Sequence, residues 1–153
     1  MHKQLPYRLG VGAVLLNTDG KIFCAMRIDN PNPAWQMPQG GIDKYEAPSR
    51  AIYRELLEEI GTNKAAIAAS SRSWIDYDLP SDLVGKVWKG KYRGQRQKWY
   101  LMQFQGTDRD INIETEHPEF RAWMWMDYKE MIEKIVPFKK ELYLEIGKEF
   151  SLI

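Results

Sequence analysis

Three glutamates, Glu55, Glu58 and Glu59, fall within one turn and a little more of a single stretch, Glu55-Leu56-Leu57-Glu58-Glu59. Helical positions three and four apart share a face, so on a helix Glu55 projects with Glu58 and Glu59 toward one small region. Like charges so placed repel. A divalent, oxygen-loving cation such as Mg²⁺ or Mn²⁺ relieves the repulsion by accepting carboxylate ligands while keeping waters for substrate phosphates. The plain alternative is a solvated face with basic partners, here Arg50 and Arg54. The setting favours chemistry. Trp35, Pro38, Gly40 and Gly41 precede a turn, Pro48 suits a first helical turn, and Gly61 suits a left-handed C-terminal cap. The acidic cluster therefore sits near the C-terminal end of the helix, against the macrodipole. Residues that break a local rule without compensation mark functional sites.

The same stretch carries a fixed pattern, G-x5-E-x7-R-E-U-x-E-E-x-G-U with U a bulky apolar residue, met by Gly40, Glu46, Arg54, Glu55, Leu56, Glu58, Glu59 and Gly61. Only the last position departs, being Thr62, and that position serves packing. On these residues the chain resembles the Nudix hydrolases, its box spanning residues 40–62. The resemblance implies metal-assisted attack of water on a phosphoric anhydride, with Glu55, Glu58 and Glu59 as bridging ligands of Mg²⁺ or Mn²⁺ and with Arg54 holding a carboxylate in place. Glu46 is expected to pair with Arg54, and a backbone carbonyl near Gly40 or Gly41 to complete the coordination, glycine permitting close approach.

Two further stretches extend the resemblance. Pro118-Glu119-Phe120 followed by Trp123-Met124-Trp125 is similar to the PEF-x-x-W-x-W segment of bacterial RNA pyrophosphohydrolases and related dinucleoside polyphosphate hydrolases, the invasion-protein-A-like subfamily. It implies that Glu119, rather than Glu116, joins the metal site; His117 is expected to be a loop residue, and His2 lies at a frayed end. Gly94-Gln95-Arg96-Gln97-Lys98-Trp99 resembles the GQ-x-QKW segment of the same group, and Tyr7-Arg8, Trp35 to Ile42, Trp74 to Pro80 and Phe138-Lys139-Lys140 match as well. The resemblance makes Arg8, Arg27, Gln39, Tyr77, Lys98 and Lys139 (or Lys140) candidate substrate contacts. It also lets Phe138 stack on a base, a contact worth about 1–3 kcal/mol for any base. Lys86 to Lys98 holds six basic residues and no acid, with Trp88 and Tyr92 interleaved. Such a run beside an acidic site supplies counter-charge for a polyanion.

These residues need a scaffold, and 153 residues make one ordinary domain, expected to span residues 1–153. Lys plus Arg number 22 against 21 Asp plus Glu, so net charge selects no partner and the distribution of charge must. The single cysteine, Cys24, fits a reducing compartment and reads as a small buried hydrophobe. No apolar run is long enough to span a membrane, and the N-terminus lacks a signal-peptide core. A cytoplasmic location with no membrane partner is expected, and no stable protein partner is inferable.

Val11–Leu16 and Lys21–Arg27 around Asn17-Thr18-Asp19-Gly20 predict a hairpin. Ala34–Pro38 reads as a short strand, and residues 46 or 47 to 60 as a helix whose Ile52, Leu56 and Ile60 face the core, leaving the glutamates off that stripe. Asn63–Ala69 reads as loop or weak helix, Ser73–Leu79, Lys98–Gln105 and Arg121–Met126 as strands. From Tyr128 the periodicity is helical, divided by Pro137. The fold class is α+β, a Nudix-type α/β/α sandwich with a mixed sheet. The function read from all this is hydrolysis of a nucleoside polyphosphate. The substrate is either the RNA 5′ end, with pyrophosphate released from the triphosphate, or a diadenosine polyphosphate, with ATP released. The alternatives are a non-catalytic Nudix-fold module that binds a nucleotide or RNA 5′ end, and a general RNA-binding domain using the basic run.

Overall fold

A computed structural model describes residues 5–153, so His2 falls outside the described residues. In chain order the elements are β1 (Tyr7–Leu16), β2 (Ile22–Arg27), β3 (Trp35–Gln36), β4 (Gln39–Gly41), α1 (Pro48–Ile60), β5 (Ala65–Ser70), β6 (Ile75–Asp78), β7 (Gly94–Phe104), β8 (Phe120–Met126), α2 (Tyr128–Lys134) and α3 (Lys140–Glu149). The strands form one mixed sheet with the central path β3-β2-β1-β7-β5; β4 joins β1, β6 joins β7 and β8 joins β2. Among the described strands only β1 and β7 run parallel, from Tyr7 opposite Gly94 to Leu16 opposite Gln103.

Side-chain alternation along the central strands builds two cores. Val11, Ala13 and Leu15 of β1, Phe23 and Ala25 of β2, and Tyr100, Met102 and Phe104 of β7 pack with Ile52, Leu56 and Ile60 of α1. Their neighbours Val14, Cys24 and Trp99 turn to the other face, against Met131 and Ile132 of α2 and Leu142, Tyr143 and Ile146 of α3. Each fully buried aliphatic side chain contributes about 1.5–3 kcal/mol. The helix–sheet–helix sandwich is therefore as expected.

Helix α1 begins with Pro48 at its first turn and ends at Gly61, whose φ of 77° is left-handed and whose N–H donates to Leu57 O at 3.2 Å. A β-carbon on Gly61 would sit 2.7 Å from Asn112 O, so the cap needs glycine twice over. Thr62 is buried and fills the packing position of the box. One expectation about this helix fails. Glu55 and Glu59 lie on its buried face beside the apolar stripe, and only Glu58 stays in solvent. For Glu55 the reason is β4, where Gly40 leaves room for its carboxyl against the sheet.

Residues 65–70 also differ from expectation, forming β5 on the edge of β7 rather than a loop or helix. Alanine-rich sequence favours helix weakly, and pairing with a long strand overrides that preference. Strand β7 starts at Gly94, four residues before the apolar pattern does, because β1 and β6 pair with its polar half.

Candidate active site

Arg54 ties the acidic helix to the loop before it. Its Nε and Nη2 donate to the two carboxylate oxygens of Glu46 at 2.7 and 2.9 Å, Nη1 donates to Glu55 at 2.9 Å and Glu58 at 3.0 Å, and Nη2 also reaches Gly41 O at 2.8 Å. The planar fork suits such bidentate recognition, which an ammonium lacks. Hydrogen bonding from Arg54 draws the Glu46 pKa down to about 2.

Glu55 lies against Gly40, where any β-carbon would overlap its carboxyl group. Burial pushes the Glu55 carboxyl up to about 7 despite the pull of Arg54, and Glu58 and Glu119 add repulsion. Glu59 is only 2 % exposed, and its Oε2 has no hydrogen-bond partner. Burial, then the charges of Glu119 and Glu55, raise the Glu59 pKa far above the ordinary range, with Arg27 opposing. Glu119, at the start of β8, thus faces Glu59 from a distant part of the chain.

Among the described residues no three His, Cys, Asp or Glu side chains are gathered closely enough to hold a metal ion as they stand. Glu58 and one oxygen of Glu55 are turned to Arg54 instead. The donor set still fits a hard divalent cation, since it offers a buried carboxylate oxygen with no partner beside a second carboxyl, with Glu55 adjacent. A cation there replaces the proton that repulsion and burial now favour.

Basic and aromatic groups line the approach. Arg27 donates twice to Asp29, at 2.8 and 2.9 Å, and its Nη1 lies 3.9 Å from Glu119. Lys139 is 7 % exposed, its Nζ 5.6 Å from the centre of the Tyr77 ring and 6.0 Å from that of the exposed Phe138. Burial, then Arg27, lowers the Lys139 pKa to about 8, while Asp29 and Glu59 oppose. Tyr77 and Phe138 are tilted at 40° with centroids 6.2 Å apart. Arg8 lies over the Trp88 ring at 5.4 Å and borders a cleft of about 400 Å³ with Gly41, Lys44, Glu55 and Tyr92.

Of the candidate contacts, Arg27, Tyr77, Phe138 and Lys139 come together, and Arg8 and Gln39 adjoin them through Gln95 and Gln97. Alternation in β7 puts Lys98 with Tyr100 on the α1 side of the sheet, the side of Glu55 and Glu59, and opposite to Gln97 and Trp99. The basic run is less free than its composition suggests. Strand β6 supplies acids that pair Arg93 with Asp78 and Arg96 with Asp76, leaving Lys86, Lys89, Lys91 and Lys98 without an ion pair among the described residues. Asp29, Gln95 and Gln97 gained no role from sequence. Their signal was faint, two glutamines at alternate positions beside a tryptophan.

The NUDIX domain family matches residues 6–146, and the chain belongs to that family. It is 53% identical over 150 residues to an RNA pyrophosphohydrolase of Rickettsia bellii, covering 98% of this chain and 93% of that protein. It is 53% identical over 150 residues to one from Roseobacter denitrificans, covering 97% and 94%. Among solved structures, a C. elegans Ap4A hydrolase in a binary complex superposes with a TM-score of 0.66 at 20% identity, over 95% of this chain and 99% of that one. At that identity the last likeness speaks for the fold alone. Nudix proteins typically use a divalent metal, and no helix among the described residues is long and apolar enough to cross a membrane.

Proposed function

We propose that this chain is a Mg²⁺- or Mn²⁺-dependent hydrolase of phosphoanhydride bonds that acts on the 5′ end of triphosphorylated RNA, releasing pyrophosphate and leaving a 5′-monophosphate. The naming of relatives that match over nearly their whole length supports the RNA end. The single observation that carries the chemistry is Glu59 Oε2, buried without a partner in a carboxyl pair with Glu119. A protein that only bound a nucleotide would gain stability by filling that position with an apolar or amide group.

Glu55, Glu59 and Glu119, with Glu58 and the Gly40 carbonyl, would hold the metal. Once bound, it supplies charge neutralisation of the polyphosphate and a more acidic water. Arg54 holds Glu55 and Glu58 and pins the helix to the Gly41 loop. Arg27 and Lys139 offset phosphate charge, and Arg8 and Gln39 contribute donors from the sheet. Phe138, exposed, offers a face for a base, and Tyr77 supports it. Lys86, Lys89 and Lys91 extend the positive field toward the RNA body. Diadenosine polyphosphates share the polyphosphate chain, and cleavage to ATP is the second activity that the same groups support.

Turnover of 5′-triphosphorylated RNA by the Glu59→Gln protein tests the assignment. A fall of at least a hundredfold with the fold intact is expected, and undiminished turnover overturns it.

A further inference from the structure

Two buried glutamines of β7 form a hydrogen-bond chain that can run in only one direction. An indole N–H donates and never accepts, so Trp99 Nε1, 3.0 Å from Gln97 Oε1, fixes which end of that amide is oxygen. Gln97 Nε2 then has two protons, one for Gln39 Oε1 at 3.2 Å and one for Gln95 Oε1 at 3.4 Å. Gln95 Oε1 also accepts from Arg8 Nη1 at 3.5 Å, and Gln95 Nε2 donates to the Tyr77 hydroxyl at 2.8 Å. Burial pushes the Tyr77 phenol pKa up, and Gln39 and Gln95 oppose that push.

Gln97 and Trp99 are fully buried and Gln95 nearly so. Water therefore cannot repair a reversed amide, which would set N–H against N–H. Strand β1 makes room for the chain. A β-carbon at Gly10 would lie 2.8 Å from both Gln95 Oε1 and Gly40 O, and one at Gly12 would overlap the Trp99 ring.

We infer that Gln95 and Gln97 are positioning residues for the substrate end of the site. Anchored on Trp99, they fill the Tyr77 oxygen from within, so that its proton is donated outward, and they hold Arg8 by an acceptor. Both groups then face an anionic phosphate oxygen as donors. The inference rests on reading Tyr77 and Arg8 as substrate contacts.

Two variants separate the chain from mere packing. Gln97→Met removes the relay without adding charge. Gln97→Glu keeps the shape, but its ionised form accepts from Trp99 and cannot donate, so the Gln95 amide turns and Tyr77 must donate inward. The protonated form accepts from Trp99 on one oxygen and donates its single proton from the other, which restores the link to Gln95 and leaves Gln39 without that donor. Steady-state kinetics with Mg²⁺ and 5′-triphosphorylated RNA, with folding checked by circular dichroism, read both. Gln97→Met should raise KM about tenfold with kcat nearly unchanged, the size of one hydrogen bond to a charged acceptor. The KM ratio of Gln97→Glu to wild type should fall toward one as pH drops from about 9 to about 5. Tyr77→Phe should raise KM by a similar factor and add little in the double variant with Gln97→Met. An inert Tyr77→Phe overturns the substrate reading of Tyr77 and this inference with it. A raised KM in Tyr77→Phe beside a wild-type KM in Gln97→Met, or effects that multiply, overturns the chain alone. Should Gln97→Met not fold, the near-isosteric Gln97→Glu protein decides, and a KM ratio that does not move with pH overturns the chain.

Discussion

Replacing Glu59 by Gln should stabilise the metal-free protein while removing its activity. The Glu59 carboxyl in the folded state keeps a proton that the unfolded chain releases above its ordinary pKa of 4.5. Folding is therefore disfavoured progressively as pH rises above that value. Glutamine cannot ionise and escapes the penalty. A proton kept one to two pH units beyond its ordinary release costs about 1–3 kcal/mol. For a chain of this size, each kcal/mol moves Tm by about 2–4 °C, so Glu59→Gln should melt roughly 2–12 °C higher than wild type at about pH 8 in chelator. The gap should close near pH 4, where both side chains are neutral. Saturating Mg²⁺ should then raise the wild-type Tm and leave the variant unmoved. Thermal unfolding followed by circular dichroism measures all of this. A variant less stable than wild type at pH 8 in chelator, or a gap independent of pH, refutes the account of Glu59 as a carboxyl held for a cation.

Gly40→Ala forces a β-carbon into the Glu55 carboxyl; kcat should drop at least tenfold, with stability lowered by about 1–3 kcal/mol in denaturant titration. Arg54→Lys cannot span Glu46, Glu55, Glu58 and the Gly41 carbonyl at once, so kcat should fall about 10–100-fold although the charge is kept. Lys139, with its pKa lowered to about 8 by burial and Arg27, loses its charge as pH rises through that value. KM for the RNA should accordingly increase above about pH 8, and Lys139→Met should show an elevated KM without that rise.

The acidic helix was legible because its chemistry is written locally: Arg54, Glu55, Glu58 and Glu59 share one helix, and Pro48 and Gly61 punctuate it. The Glu46–Arg54 pair followed from the same stretch. The burial of Glu55 was not legible, because it depends on how closely α1 approaches β4, and that is set by Gly40 across the sheet. The polar half of β7 was missed as a strand because its buried glutamines satisfy one another, so no apolar alternation marks them. The pairing of Arg93 and Arg96 is likewise a matter of register, since the strand that carries Asp76 and Asp78 lies beside them only after folding.

The most direct test of the central claim is a single competition assay with Mg²⁺, offering 5′-triphosphorylated RNA, diadenosine tetraphosphate, ADP-ribose and 8-oxo-dGTP at equal concentration. Pyrophosphate release from the RNA is predicted to dominate, with slower cleavage of diadenosine tetraphosphate to ATP. A preference for ADP-ribose or 8-oxo-dGTP would contradict the substrate assignment while leaving the metal-assisted hydrolysis in place.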